Sequence, residues 1–217
     1  MLAIAGGKGG CGKTTTTLGL AAALDSPTLV VDADVDLPNL HRLAGVDATP
    51  TLADAHGGSV DAVAHAHPDE PGVSVLPAPD GSRADAPGLD ALLSGLTPSA
   101  STPTLVDCPA GAGPDAAAAL RAADAALLVS ALCRPALRDT AKTAAMARTL
   151  GTEPVGVVLT RTHLAPDAVA ELLDCPVLGS VPPVEPPVLS RPAVQSAYAR
   201  LADEIRQEED LLSCVNK

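Results

Sequence analysis

The chain has 217 residues, 47% of them hydrophobic, and a formal net charge of −12 at neutral pH. That is enough material for a substantial core, and no apolar run reaches the roughly 18 residues that a membrane-crossing helix needs. The acidic balance, 26 Asp and Glu against 14 Lys and Arg, makes the surface a poor non-specific ligand for nucleic acid or anionic lipid.

Leu2 to Ala5 reads as a short apolar strand, and it runs straight into Gly6-Gly7-Lys8-Gly9-Gly10-Cys11-Gly12-Lys13-Thr14-Thr15. No basic leader precedes that strand, which points to a cytoplasmic protein. Gly7 to Thr14 fits the pattern G-x-x-x-x-G-K-[ST] between a strand and a helical run of roughly Lys13 to Leu24, which is the context a phosphate-binding loop requires. Glycines let backbone N–H groups converge on an oligophosphate, and the helix that follows aims its unpaired N–H groups at the same anion. The phosphate-contacting set is therefore Gly7, Gly9, Gly10, Cys11, Gly12, Lys13, Thr14 and Thr15, with Lys13 on the β- and γ-phosphates and the Thr14 hydroxyl on Mg²⁺.

The additional Lys8 makes this stretch resemble the deviant Walker A motif of the MinD/ParA group of ATPases, relatives of the nitrogenase iron protein and of the arsenite and tail-anchor ATPases. The resemblance implies ATP and Mg²⁺ as ligands and an ATP-bound homodimer, in which Lys8 crosses to the nucleotide of the other subunit. The acidic composition, with few lysines, one Tyr and neither Phe nor Trp, looks like that of proteins from halophilic archaea; an ordinary acidic protein from a GC-rich genome is the alternative.

Pro27 to Val31 reads as a buried parallel strand, and Asp32, Asp34 and Asp36 follow on alternate residues at its carboxyl end, where open α/β sheets place their ligands. Asp32 to Leu40 resembles the D-x-D-x-x-L-x-N-L first switch of MinD-like chains. That likeness implies that Asp32 holds a Mg²⁺-bound water, that Asp34 serves the attacking water and that Asn39 belongs to a dimer and partner surface. Asp36 stands where the family commonly has glycine.

Thr51 to Ala55 and Val60 to Ala64 suggest short helices, Val73 to Leu76 a strand, and Gly88 to Leu96 an amphipathic helix with Leu89, Leu92, Leu93 and Leu96 on one face. His65 and His67 lack further ligands at metal spacing and read as surface residues. The five cysteines form no C-x-x-C pair and read as structural thiols. Thr104 to Asp107 is a further apolar strand ending in a carboxylate suited to the Mg²⁺ shell, and Asp107 to Gly111 resembles the family's D-x-P-A-G second switch.

Strands at Ala125 to Ser130, Val155 to Thr160 and Val177 to Val181 then alternate with helices at Pro135 to Leu150, Pro166 to Leu173 and Val194 to Glu209. Such alternation predicts one doubly wound, mainly parallel α/β sheet with helices on both faces, a P-loop NTPase fold forming a single domain over residues 1–217. Arg138 and Asp139 match an L-R-D stretch in MinD-like chains. By resemblance Arg161 and Pro182 lie against the adenine, although Pro183 and Val184 occupy the place of the family's acidic pair. The function so implied is a Mg²⁺-dependent ATP hydrolase with Lys8, Lys13 and Asp34 in catalysis and Thr14, Asp32 and Asp107 at the metal. It would act as an ATP-gated dimerisation switch that places cellular structures through a protein partner. The acidic C-terminus and scarce lysines argue against direct membrane or non-specific DNA binding. A non-hydrolysing nucleotide-binding adaptor and an ATP-dependent ligase of the same superfamily are the alternatives.

Overall fold

The computed structural model describes residues 1–79, 87–97 and 102–207. The chain alternates strand and helix: β1 Leu2–Ala5, α1 Lys13–Ala23, β2 Thr28–Asp32, α2 Leu40–Ala44, β3 His65–Ala66, β4 Val73–Leu76, α3 Leu89–Ser94, β5 Thr104–Asp107, α4 Pro114–Ala122, β6 Ala125–Ala131, α5 Arg134–Thr149, β7 Glu153–Thr160, α6 Asp167–Leu173, β8 Val177–Val181 and α7 Pro192–Gln207. The strands form one sheet in the order β3-β4-β2-β5-β1-β6-β7-β8. All neighbours are parallel except β3 and β4. The expected α/β, mainly parallel architecture is the one observed.

The central strands are apolar along their whole length because both of their faces are covered. Successive side chains divide between two cores. Ala3, Ala5, Val106 and Leu128 join α3, α4, α5 and α6 on one face. Leu2, Ile4, Leu105 and Leu127 join α1, α2 and α7 on the other. On α7, Val194, Tyr198, Leu201 and Ile205 recur at helical spacing and are all buried, so that this helix seals α1 against the sheet. The Tyr198 hydroxyl lies 3.2 Å from Thr16 Oγ1, which ties α7 to the first turns of α1.

Several local expectations are corrected. Thr51 to Ala55 is a series of turns, with the Asp54 carboxylate accepting from both the N–H and the hydroxyl of Thr51 at 2.8 and 2.9 Å. That side-chain bonding competes with the helical ladder, and Gly57-Gly58 lies directly beyond. Val60–Ala62 is only a single 3₁₀ turn. The last helix starts two residues earlier than expected, at Pro192, and Glu208 and Glu209 lie outside the described residues. The helices α2 and α4 and the edge strand β3 were not anticipated. No helix among the described residues is long and apolar enough to cross a membrane.

Candidate nucleotide site

The strand order places the three chemical segments side by side. β5 lies between β2 and β1, so the carboxyl ends of those strands deliver Asp32, Asp107 and the glycine loop to one edge of the sheet. Asp32 and Asp107 are register partners across β2 and β5, and Ile4 partners Asp107 across β1. The loop is built to need glycine. Gly12 precedes α1 with φ 99°, a left-handed conformation that other L-residues adopt only under strain. A Cβ on Gly7 would stand 2.0 Å from the Asp139 carbonyl carbon, because the backbone of α5 passes directly behind the loop. From β7, two strands over from β1, Thr160 Oγ1 donates to the Cys11 carbonyl at 2.7 Å and fixes the loop from that side.

Lys13 is buried with 8% of its surface exposed, whereas Lys8, Gly9 and Gly10 are exposed at the crest of the loop. Thr14 donates to Asn39 Oδ1 at 3.0 Å, linking the phosphate loop to the segment after β2. That segment is organised by Asp32. Its Oδ1 accepts the Asp34 N–H at 3.0 Å, and its Oδ2 accepts the N–H groups of Asn39 and Leu40 at 3.2 and 3.1 Å. Asp34 in turn accepts the Leu37 N–H at 3.1 Å. Carboxylate-to-backbone bonds of this kind shape the loop and also define where the acidic oxygens point.

Burial pushes the Asp107 carboxyl up to about 7, with the charge of Asp32 adding to the shift and Thr14, Lys13 and Thr17 opposing it. Burial likewise raises Asp32 to about 6, against the pull of the three backbone N–H groups and with a smaller push from Asp34. Two buried carboxylates that resist ionisation next to each other are stabilised by a cation. The oxygen donors at hand, Asp32, Asp107 and the Thr14 hydroxyl, suit Mg²⁺, which takes one or two carboxylates and fills its octahedron with phosphate oxygens and water. Consistent with that mode, the described residues contain no group of three or more His, Cys, Asp or Glu that could cage a metal by themselves, His65 and His67 included. Cys11, Cys108 and Cys175 are buried free thiols. Burial holds the Cys108 thiol well above its ordinary pKa, so it stays protonated.

A cleft of about 590 Å³ opens over the loop, lined by Gly9, Gly10, Gly12, Lys13, Thr14, Thr15, Asp34 and Arg161 of the expected set. Beside it is a smaller hollow of about 150 Å³, bounded by Thr15, Arg161, Pro182, Pro183, Val184, Val188 and Tyr198. Arg161 and Pro182 thus line one hollow. Arg161 also reaches back over the loop, donating from Nη2 to the Gly10 carbonyl at 2.8 Å, and its own backbone is left-handed at φ 57°. Gly7 stands behind the loop against α5. The residues not foreseen are Tyr198, Val188, Leu37, Leu43 and Arg42, which reach these two hollows from α7, its preceding loop, the Asp-rich loop and α2. Being the only aromatic residue in the chain was the signal that could have drawn attention to Tyr198.

The nucleotide-binding domain family described as CobQ/CobB/MinD/ParA matches residues 2–186, which contain every segment just described except Val188 and α7. The chain belongs to this family. An uncharacterised ATP-binding protein of Methanocaldococcus jannaschii is 33% identical over 194 residues, covering 83% of this chain and 73% of that protein. Among solved structures, the septum site-determining protein MinD of Pyrococcus horikoshii in complex with Mg-ADP superposes with a TM-score of 0.81 at 27% identity, over 100% of this chain and 98% of that one. The cell division ATPase MinD of Pyrococcus furiosus gives a TM-score of 0.75 at 28% identity, over 95% and 98%.

Proposed function

We propose that the chain is a Mg²⁺-dependent ATPase working as an ATP-gated dimerisation switch that positions cellular structures through a protein partner. The observation that carries this reading is the convergence of the glycine loop, buried Lys13 and the Asp32–Asp107 pair on one edge of the sheet. Phosphoryl transfer requires positioning and charge stabilisation more than covalent chemistry, and this inventory is suited to both. Lys13 binds the terminal phosphates, Thr14, Asp32 and Asp107 hold Mg²⁺ directly or through water, and Asp34 orients the attacking water from the rim of the cleft. Bound Mg²⁺ would neutralise charge on the phosphate oxygens. Arg161, Pro182 and Tyr198 bound the hollow assigned to the base.

The nucleotide face also supports a second copy as the closing element. Leu37 and Leu43 line the cleft yet are 74% and 47% exposed, and Lys8 stands free of the cleft wall at the crest of the loop. Apolar side chains at the mouth of a charged cleft are a surface waiting to be covered, and two triphosphates brought face to face need an added cation between them. Turnover is slow until a partner acts, and the protein works in the cytoplasm. MinD proteins named for septum-site determination and cell division supply the parallel for positioning. In a phosphate-release assay without any added acceptor, Asp34→Ala should bind Mg-ATP normally while hydrolysis falls by about a hundredfold or more. Unchanged hydrolysis would remove Asp34 from this role, and hydrolysis appearing only with an added carboxylic acid would favour a ligase.

A further inference from the structure

Arg42 lines the nucleotide cleft without an ion-pair or hydrogen-bond partner for its side chain among the described residues. It stands on α2 between Asn39 and Leu43, and all three line the 590 Å³ cleft together with Lys13, Asp34 and Arg161. Residues three apart on a helix share a face, so Arg42 lies one turn beyond Asn39. Asn39 accepts the Thr14 hydroxyl at 3.0 Å and donates from Nδ2 to the Leu37 carbonyl at 3.2 Å, which anchors the start of α2 to the metal-binding end of the loop.

The Arg42 side chain is exposed and makes no ion pair or hydrogen bond with another described residue, in a chain carrying 26 acidic residues against 14 basic ones. Arg121, Arg148 and Arg206 each have a carboxylate, and Arg191 binds backbone carbonyls. Arg134, Arg138 and Arg200 make no side-chain ion pair or hydrogen bond with a described residue either, but of these four Arg42 is the one that opens onto the cleft above the glycine loop, where it is placed for an anion. Its planar fork of N–H donors matches phosphate oxygens, and a partly enclosed cleft strengthens the contact over one in open water.

We propose that Arg42 is a nucleotide-phosphate ligand carried by α2, a third cation beside Lys13 and Arg161 that draws the segment after β2 over the bound triphosphate. The proposal rests on the nucleotide reading of the site and adds to it a contact that depends on where α2 stands. The proposed contact is to the terminal phosphate, which ADP lacks, so it favours ATP over ADP.

The test is equilibrium binding of Mg-ATP and Mg-ADP to wild type, Arg42→Gln and Arg42→Lys, by displacement of a fluorescent ADP analogue at several KCl concentrations. Arg42→Gln should weaken Mg-ATP about tenfold and Mg-ADP by less, with a shallower salt dependence, and Arg42→Lys should recover part of the loss. The thermal midpoint of the nucleotide-free protein should not move, because the side chain is exposed. Affinities within about twofold of wild type for both nucleotides would overturn the proposal. So would an equal loss for both accompanied by a lower midpoint, which would make Arg42 a structural residue. A wild-type protein that binds neither nucleotide would refute the underlying reading instead.

Discussion

On the proposed function, the two hollows of the site would recognise their ligand by different physics. At the phosphate end, recognition is carried by backbone N–H groups, buried Lys13 and carboxylates whose oxygens are oriented by named hydrogen bonds. The base end is smaller, and its wall of Val181, Pro182, Pro183, Val184 and Val188 contains no carboxylate. Its strand β8 is only partly buried along most of its length. On that reading the first end would sense charge and the second, walled largely by Val and Pro, mainly shape, so changes at the two should differ in size and in their dependence on salt and pH.

The largest effect belongs to the phosphate end. Lys13→Ala removes a buried cation from the floor of the cleft, and Mg-ATP affinity measured by calorimetry should fall by about a hundredfold or more. A loss below about fivefold would mean that charge is not what this end senses.

A second effect of that end is on stability. Asp32 and Asp107 have folded-state values of about 6 and 7 against an ordinary 3.8, so between roughly pH 4 and 7 the folded protein holds protons that the unfolded chain releases. Their contribution is therefore greatest below the ordinary value and is lost as pH rises through the folded values. In EDTA, Asp107→Asn should melt at a higher temperature relative to wild type at pH 7.5 than at pH 5, and Mg-ADP should stabilise wild type much more than the variant. A wild-type advantage at pH 7.5 without metal would contradict the placement of two repelling carboxylates.

The smallest effect concerns the base end. A pocket that reads shape discriminates by about a hundredfold at most, whereas dedicated buried hydrogen-bonding groups reach far more. Competition between ATP and GTP should therefore show a preference below about a hundredfold, and a preference above about ten-thousandfold would mean that a polar group of this wall, Thr15, Thr160, Arg161 or Tyr198, reads the base by a dedicated hydrogen bond.

The same contrast explains what could be read in advance. The phosphate loop is contiguous, its spacing is imposed by the anion, and it lies between strand and helix, so Gly7 to Thr15 could be placed from the sequence alone. The carboxylates were found because each ends an apolar strand, but their pairing depended on β5 inserting between β2 and β1, which no local pattern encodes. The base hollow gathers side chains from α1, the ends of β7 and β8, the loop after β8, and α7, so Tyr198 gave no local hint of its place there. The helix α4 is hard to read in the sequence because a run of alanines from Ala116 to Ala119 hides the apolar period, although Pro114 at its start followed by Asp115 is a fair N-terminal signal. The helix α2 was overlooked because its five residues follow an Asp-rich loop, and its one marker was left-handed Gly45 at the end. Without α2, the shared face of Asn39 and Arg42 could not be seen.

The most direct test of the central claim is the molar mass of Asp34→Ala in high KCl, measured by light scattering on a sizing column with and without Mg-ATP. The account predicts a dimer with Mg-ATP, a monomer without it, and a monomer in both conditions once Lys8→Ala is added. A protein that binds Mg-ATP yet stays monomeric, or a Lys8→Ala double variant that still dimerises, would contradict it.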